Sequence, residues 1–131
     1  MKNRIVNILN QAKSFYFATV EGDQPRVRPY NVAVEFEDKV YFYTNNHTHA
    51  FKQIAVNPKI ELCAPISEER WLRISGKVVY DYRPEVKKAV LDAHPELRTM
   101  YHEDDKIFEV FYLSNMAATI HSLNQEPEII C

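Results

Sequence analysis

A chain of 131 residues has room for one domain spanning 1–131, and 46% hydrophobic against 26% charged residues is ordinary globular composition. Sixteen basic against eighteen acidic side chains leave a net charge of −2, which excludes the basic footprint of a general nucleic-acid binder. Only two glycines are present, Gly22 and Gly76, so no glycine-rich phosphate loop of the P-loop or dinucleotide-binding kind can be built.

In chain order, Ile5, Ile8, Leu9 and Ala12 fall on one face of a short helix. The same stretch is broken by asparagines and is too polar for a signal peptide. Nothing approaches the ~20 apolar residues of a membrane span, so a cytoplasmic protein is expected. Phe15 to Val20 reads as a strand, followed by a turn at Glu21-Gly22-Asp23-Gln24-Pro25. Arg26 to Phe36 and Val40 to Thr44 read as the next two strands, joined by Glu37-Asp38-Lys39. Asn45-Asn46-His47-Thr48 offers capping side chains for a helix carrying Phe51, Ile54 and Ala55 and stopping before Asn57-Pro58. Strands follow at Ile60 to Ala64 and Trp71 to Tyr80. Pro84 opens a helix with Val86, Ala89, Val90 and Ala93 on one side. Ile107 to Leu113 and Met116 to His121 read as a strand pair or one bent strand. Short turns between successive strands imply antiparallel pairing, and about six strands in one small chain must nearly close on themselves to hide their edges. An α+β, mainly β protein is expected, with a barrel-like antiparallel sheet and peripheral helices.

Two stretches carry candidate chemistry. Arg28 on a strand, Thr44 and Asn45 at the end of the next, and Lys52 on the following helix suit a phosphate monoester: a cation, short hydroxyl and amide donors, and helix-start N–H groups. The same residues also read as solvated arginines beside a capped helix. Alternation in Trp71-Leu72-Arg73-Ile74-Ser75 places Trp71, Arg73 and Ser75 on one strand face. That face suits a planar or anionic ligand, and equally a core or oligomer contact. His47 and His49 at a helix start, and the scattered His94, His102 and His121, lack metal-site spacing, so no metal is expected. Cys63 and Cys131 make no disulfide framework, and Cys63 reads as a buried, inert thiol. No catalytic triad or nucleophile elbow is present.

Taken together, Gly22-x-x-Pro25-x-x-Arg28-Pro29, Tyr41-Phe42-Tyr43-Thr44-Asn45, Phe51-Lys52-Gln53-Ile54-x-x-Asn57-Pro58-Lys59 and Trp71-x-Arg73-x-x-Gly76-Lys77-Val78 resemble the pyridoxamine 5′-phosphate oxidase-like FMN-binding split-barrel family. The similarity is greatest to its small bacterial branch of nitroimidazole-resistance proteins. The resemblance implies a six-stranded Greek-key split barrel and a homodimer with one FMN in each of two intersubunit clefts. Arg28 would meet the phosphate region. Tyr43, Thr44 and Asn45 would line the cofactor, and Trp71 and Arg73 would approach the flavin, often from the partner subunit. A lysine that the branch often places after its Thr-Asn segment is replaced here, at about Thr48, with Lys52 one helical turn on as the nearest cation. The implied activity is two-electron transfer from a reductant such as NAD(P)H to a small planar acceptor, nitroaromatic or quinone-like. The alternative is a non-catalytic carrier of a flavin, a deazaflavin or haem.

Overall fold

The computed structural model describes residues 2–131. Helix α1 (Lys2–Gln11) leads into β1 (Phe15–Glu21), β2 (Gln24–Tyr30), β3 (Val34–Phe36) and β4 (Lys39–Asn45). Then come α2 (His49–Val56), β5 (Lys59–Pro65), β6 (Arg70–Tyr80), α3 (Pro84–Ala93), a short 3₁₀ turn at Pro95–Thr99, β7 (Phe108–Ser122) and β8 (Glu128–Ile129). The fold is mostly antiparallel β with three helices, as expected. The stretch from Arg26 to Phe36, read as one strand, is split into β2 and β3; the other five strands read from the sequence are β1, β4, β5, β6 and β7, and β8 is a short addition. The final apolar stretch is one bent strand, β7, with Asn115 at φ 52° marking the irregularity.

Turn chemistry sets the hairpins. Gly22, at φ +64°, opens the two-residue turn between β1 and β2, where glycine carries no steric cost. Glu37 and Asp38 both adopt positive φ, which gives the β3–β4 turn the twist that a tight hairpin needs. Gly76 lies at the bulge between β6 and β7. A Cβ there would sit 2.9 Å from Leu113 Cβ, so the strands approach too closely for any larger residue.

The hydrogen-bonded path runs β2-β1-β5-β6-β7-β4-β3, with β8 also on β7. Strands β2 and β3 are its two ends, yet only residues 31–33 join them. Such a link spans at most roughly 14 Å. The path must therefore curl until its ends nearly meet, although it stays open in hydrogen bonding: a split barrel. Ring contacts across the curl agree with this, for Phe15 lies 6.1 Å from Phe42 of β4 and Tyr30 lies 6.2 Å from Tyr43. Phe15, Phe17, Phe42, Leu62, Leu72, Ile74 and Phe111 fill the interior, and Ile5 and Leu9 of α1 pack against them. A second apolar cluster outside the curl joins Val86, Val90 and Leu91 of α3 to Tyr41, Phe108 and Val110. Among the described residues no helix is long and apolar enough to cross a membrane.

Candidate functional site

Register places Arg28 opposite Phe17, and directly paired residues share a face. Arg28 therefore faces inward at the mouth of the barrel, where α2 closes over β1. Helix α2 turns Ala50, Gln53 and Ile54 toward the sheet, the i, i+3, i+4 spacing of one face. The Arg28 guanidinium donates to Thr19 Oγ1 at 2.9 Å, to the Phe17 carbonyl at 3.4 Å and to Gln53 Oε1 at 3.0 Å. It also lies 5.7 Å from the Phe17 ring centroid. Thr19 donates to the same Gln53 oxygen.

All three acceptors are neutral. Burial holds the Arg28 pKa below the usual guanidinium value, and no carboxylate offsets it. Arg4, Arg26, Arg73, Arg83 and Arg98 are all paired to carboxylates. Arg28 is thus a half-buried positive charge without a counter-ion among the described residues. It lines a cleft of about 540 Å³ together with Arg26, Tyr30, Thr48, His49 and Gln53.

The start of α2 forms the cleft's second wall. Thr48 caps the helix, its Oγ1 accepting the Phe51 N–H at 3.1 Å and donating to the Asn45 carbonyl at 3.0 Å. The N–H groups of the first turn that the cap does not use belong to His49 and Ala50. Asn45 is fixed from both sides: its Oδ1 accepts the His47 N–H at 2.9 Å and its Nδ2 donates to Tyr101 Oη at 2.9 Å. An adjoining pocket of about 180 Å³ is lined by Tyr30, Tyr43, Thr44, Asn45, Thr48 and Tyr101. Burial raises the pKa of both Tyr30 and Tyr43, so each phenol stays a neutral hydrogen-bonding group. The two cavities share Tyr30 and Thr48 and read as one elongated site, cationic at one end and aromatic with amides at the other.

Of the residues expected from the sequence, the structure brings together Arg28, Tyr43, Thr44, Asn45 and Thr48. Lys52 is exposed and lines neither cavity; a turn of α2 that buries Gln53 carries its neighbour away from the cleft. Trp71 and Arg73 lie on the opposite, outer face of the sheet, since Leu72 and Ile74, which alternate with them, point into the core. There Trp71 stacks on His121 at 5.6 Å and Arg73 pairs with Glu61 at 3.4 Å. Within one chain they do not meet Arg28. Sequence reading left unassigned Thr19, Tyr30, Gln53 and Tyr101, whose roles depend on contacts between distant segments. His49, placed by the sequence at a helix start, is exposed and lines the cleft.

No group of three or more potential metal-ligating side chains occurs among the described residues. Burial pushes the Cys63 thiol pKa up, which disfavours the reactive thiolate. The site's donors are a guanidinium, an amide and helix-start N–H groups, and its one carboxylate, Glu21, is already paired with Arg26 at 2.8 Å. Such a donor set fits a phosphate monoester.

Residues 1–111 match the family model described as pyridoxamine 5′-phosphate oxidase. A NimC/NimA family protein from Clostridium acetobutylicum is 42% identical, with 98% of this chain and 90% of that one covered and a TM-score of 0.90. General stress protein 26 from Bacillus anthracis shares the fold at 15% identity, with 98% of each chain covered and a TM-score of 0.73. A pyridoxamine 5′-phosphate oxidase-related, FMN-binding protein from Nostoc punctiforme does so at 15% identity, covering 98% and 95% with a TM-score of 0.64. No curated protein matches the sequence. On its sequence match over residues 1–111 and its split-barrel fold, this chain belongs to the pyridoxamine 5′-phosphate oxidase family.

Proposed function

We propose that the chain is an FMN-dependent oxidoreductase of the cytoplasm that moves two electrons from a reductant such as NAD(P)H to a small planar acceptor, nitroaromatic or quinone-like. The observation that carries this reading is Arg28, a half-buried cation in a cleft of about 540 Å³ whose bonded partners are all neutral oxygens. A phosphate is the natural counter-ion there, with α2 adding N–H groups at its positive end. Tyr30, Tyr43 and Tyr101 offer apolar ring faces beside the amides of Asn45, which suits a flat heterocycle with polar edges. FMN, when bound, supplies the redox chemistry, and the protein supplies position and electrostatics.

The chain is read as one domain and half of a binding site. Trp71 and Arg73 face away from the Arg28 cleft, so a second copy must deliver them if they touch the same ligand. The outer face of β1, β2, β5 and β6 supports that pairing. It exposes Tyr16 and Val27 and carries a groove of about 470 Å³ with Ala18, Val20 and Gly76 in its lining. The groove's lining also includes Lys59, Glu61 and Lys77, so a second copy seated there would match charged as well as apolar groups.

The visible spectrum of the purified protein tests the reading. Flavin absorption that bleaches anaerobically with a nicotinamide donor and returns on adding a nitroaromatic is expected. Flavin that no nicotinamide bleaches would leave a carrier in place of an enzyme, and a haem band would replace the cofactor. A colourless protein that ignores added FMN would remove the proposal.

A further inference from the structure

Gln53 is 8% exposed, and both of its amide's orientations are not equivalent. Arginine can only donate, so the atom facing Arg28 Nη2 at 3.0 Å must be the amide oxygen. Thr19 donates to that same oxygen, which fills both of its lone pairs. The amide is therefore locked, with its Nε2 group turned away from Arg28 and Thr19. Nε2 meets no acceptor among the described residues, and the one fully enclosed side-chain atom without a partner is Tyr80 Oη. Gln53 Nε2 is thus left with two N–H bonds and no protein partner among the described residues, on a side chain that lines the cleft.

From this geometry we infer that Gln53 donates an amide hydrogen bond directly to the phosphate held by Arg28, acting as a neutral second donor in a cleft whose other guanidinium, Arg26, is paired with Glu21. The inference rests on the FMN reading above and deepens it. The surroundings of Gln53 support the assignment. Lys52, the cation nearest in sequence, is exposed and outside the cleft, whereas Gln53 is inside it. Burying a second ammonium next to the desolvated Arg28 would set two like charges side by side when no ligand is present. A primary amide supplies donors without that repulsion. The same amide accepts from Arg28, so one side chain both aims the guanidinium and contributes its own donors. Both donors then lie beside the first turn of α2, where the helix favours an anion.

Riboflavin, which lacks the phosphate, separates contacts to the phosphate from contacts to the ring. The preference for FMN over riboflavin, measured by fluorescence titration, should fall about tenfold in Gln53→Met, the loss of one hydrogen bond to a charged group. Binding of riboflavin itself should be unchanged. Because methionine also removes the support of Arg28, a second readout decides between donor and prop. In isotope-labelled wild-type protein, the Gln53 side-chain amide protons should shift downfield with FMN and stay in place with riboflavin. Amide resonances that respond alike to both flavins, or a Gln53→Met preference equal to the wild type's, would overturn the assignment. If Arg28→Ala alone then lowers the preference, the phosphate reading survives without Gln53. A wild type that does not distinguish FMN from riboflavin defeats the phosphate reading and this inference together. Should the methionine variant fail to fold, the wild-type amide spectrum decides alone.

Discussion

Arg28 and Arg83 are both held by several hydrogen bonds, and the chemistry of their partners sets them apart. Arg83 donates to Asp81 at 3.0 and 2.9 Å and to Glu37 at 2.7 Å, and Asp81 also accepts the Tyr41 hydroxyl at 2.8 Å. The hydrogen bonds to Asp81 and Glu37 raise the Arg83 pKa, and Asp81 is held down at about 2, chiefly by Arg83. Burial, followed by the hydrogen bond to Asp81, pushes Tyr41 up to about 12. That charge is closed, and it ties the β3–β4 hairpin to the start of α3. Arg28 is ordered by three neutral oxygens that leave its charge open toward a cleft. A guanidinium saturated by carboxylates is a staple, and one held by neutral groups beside a cavity keeps its charge uncompensated.

Giving Arg28 the kind of partner that Arg83 has should abolish the difference. In Gln53→Glu a carboxylate would neutralise Arg28 and repel a phosphate. FMN affinity should fall by roughly a hundredfold or more while the melting temperature holds or rises. Unchanged FMN binding in that variant would mean that the open charge is irrelevant. Arg28→Ala should weaken FMN binding at least about tenfold by titration, since a charged hydrogen bond at a phosphate is worth ~1.5–3 kcal/mol. Arg83→Ala is the control: a lower melting temperature with FMN affinity unaltered. Reversed results for the two arginines would invert the assignment of staple and site.

Trp71→Ala should lower the affinities for FMN and riboflavin several-fold and equally, because it would remove a ring contact supplied by the partner and no phosphate contact. Light scattering should then give about 31 kDa, twice the 15.4 kDa chain. A 15 kDa species with full flavin affinity would sink the shared site. The smallest effect concerns acid stability. A carboxyl whose folded pKa lies near 2, against ~3.9 when unfolded, stabilises the fold above about pH 4 and loses that contribution as pH falls toward 2. The gap in melting temperature between wild type and Asp81→Asn should therefore close as pH drops from about 5 to 2. A gap that persists at pH 2 would show that Asp81 acts through its shape and not its charge.

Much of the site was legible because it is local. Arg28 belongs to a strand, Thr44 and Asn45 to a strand end, and Thr48 to a helix cap, and each carries its signal in its immediate neighbours. What was not legible depends on contacts across the fold. Nothing near Thr19 or Gln53 in the sequence shows that they meet, 34 residues apart, over the Arg28 guanidinium. Tyr101 reaches Asn45 from 56 residues away. The run from Arg26 to Phe36 read as one strand, but residues 31–33 carry the chain from one edge of the sheet to the other. Lys52 and Gln53 are adjacent and comparably polar. Only the packing of α2 on β1 decides which of them enters the cleft.

The open charge on Arg28 is tested most directly by titrating the unmodified protein with FMN and with riboflavin under the same low-salt conditions. Two hydrogen bonds from charged or oriented donors to the phosphate predict that FMN binds at least about a hundredfold more tightly, with the advantage shrinking as salt is added. Equal affinities for the two flavins would contradict the account.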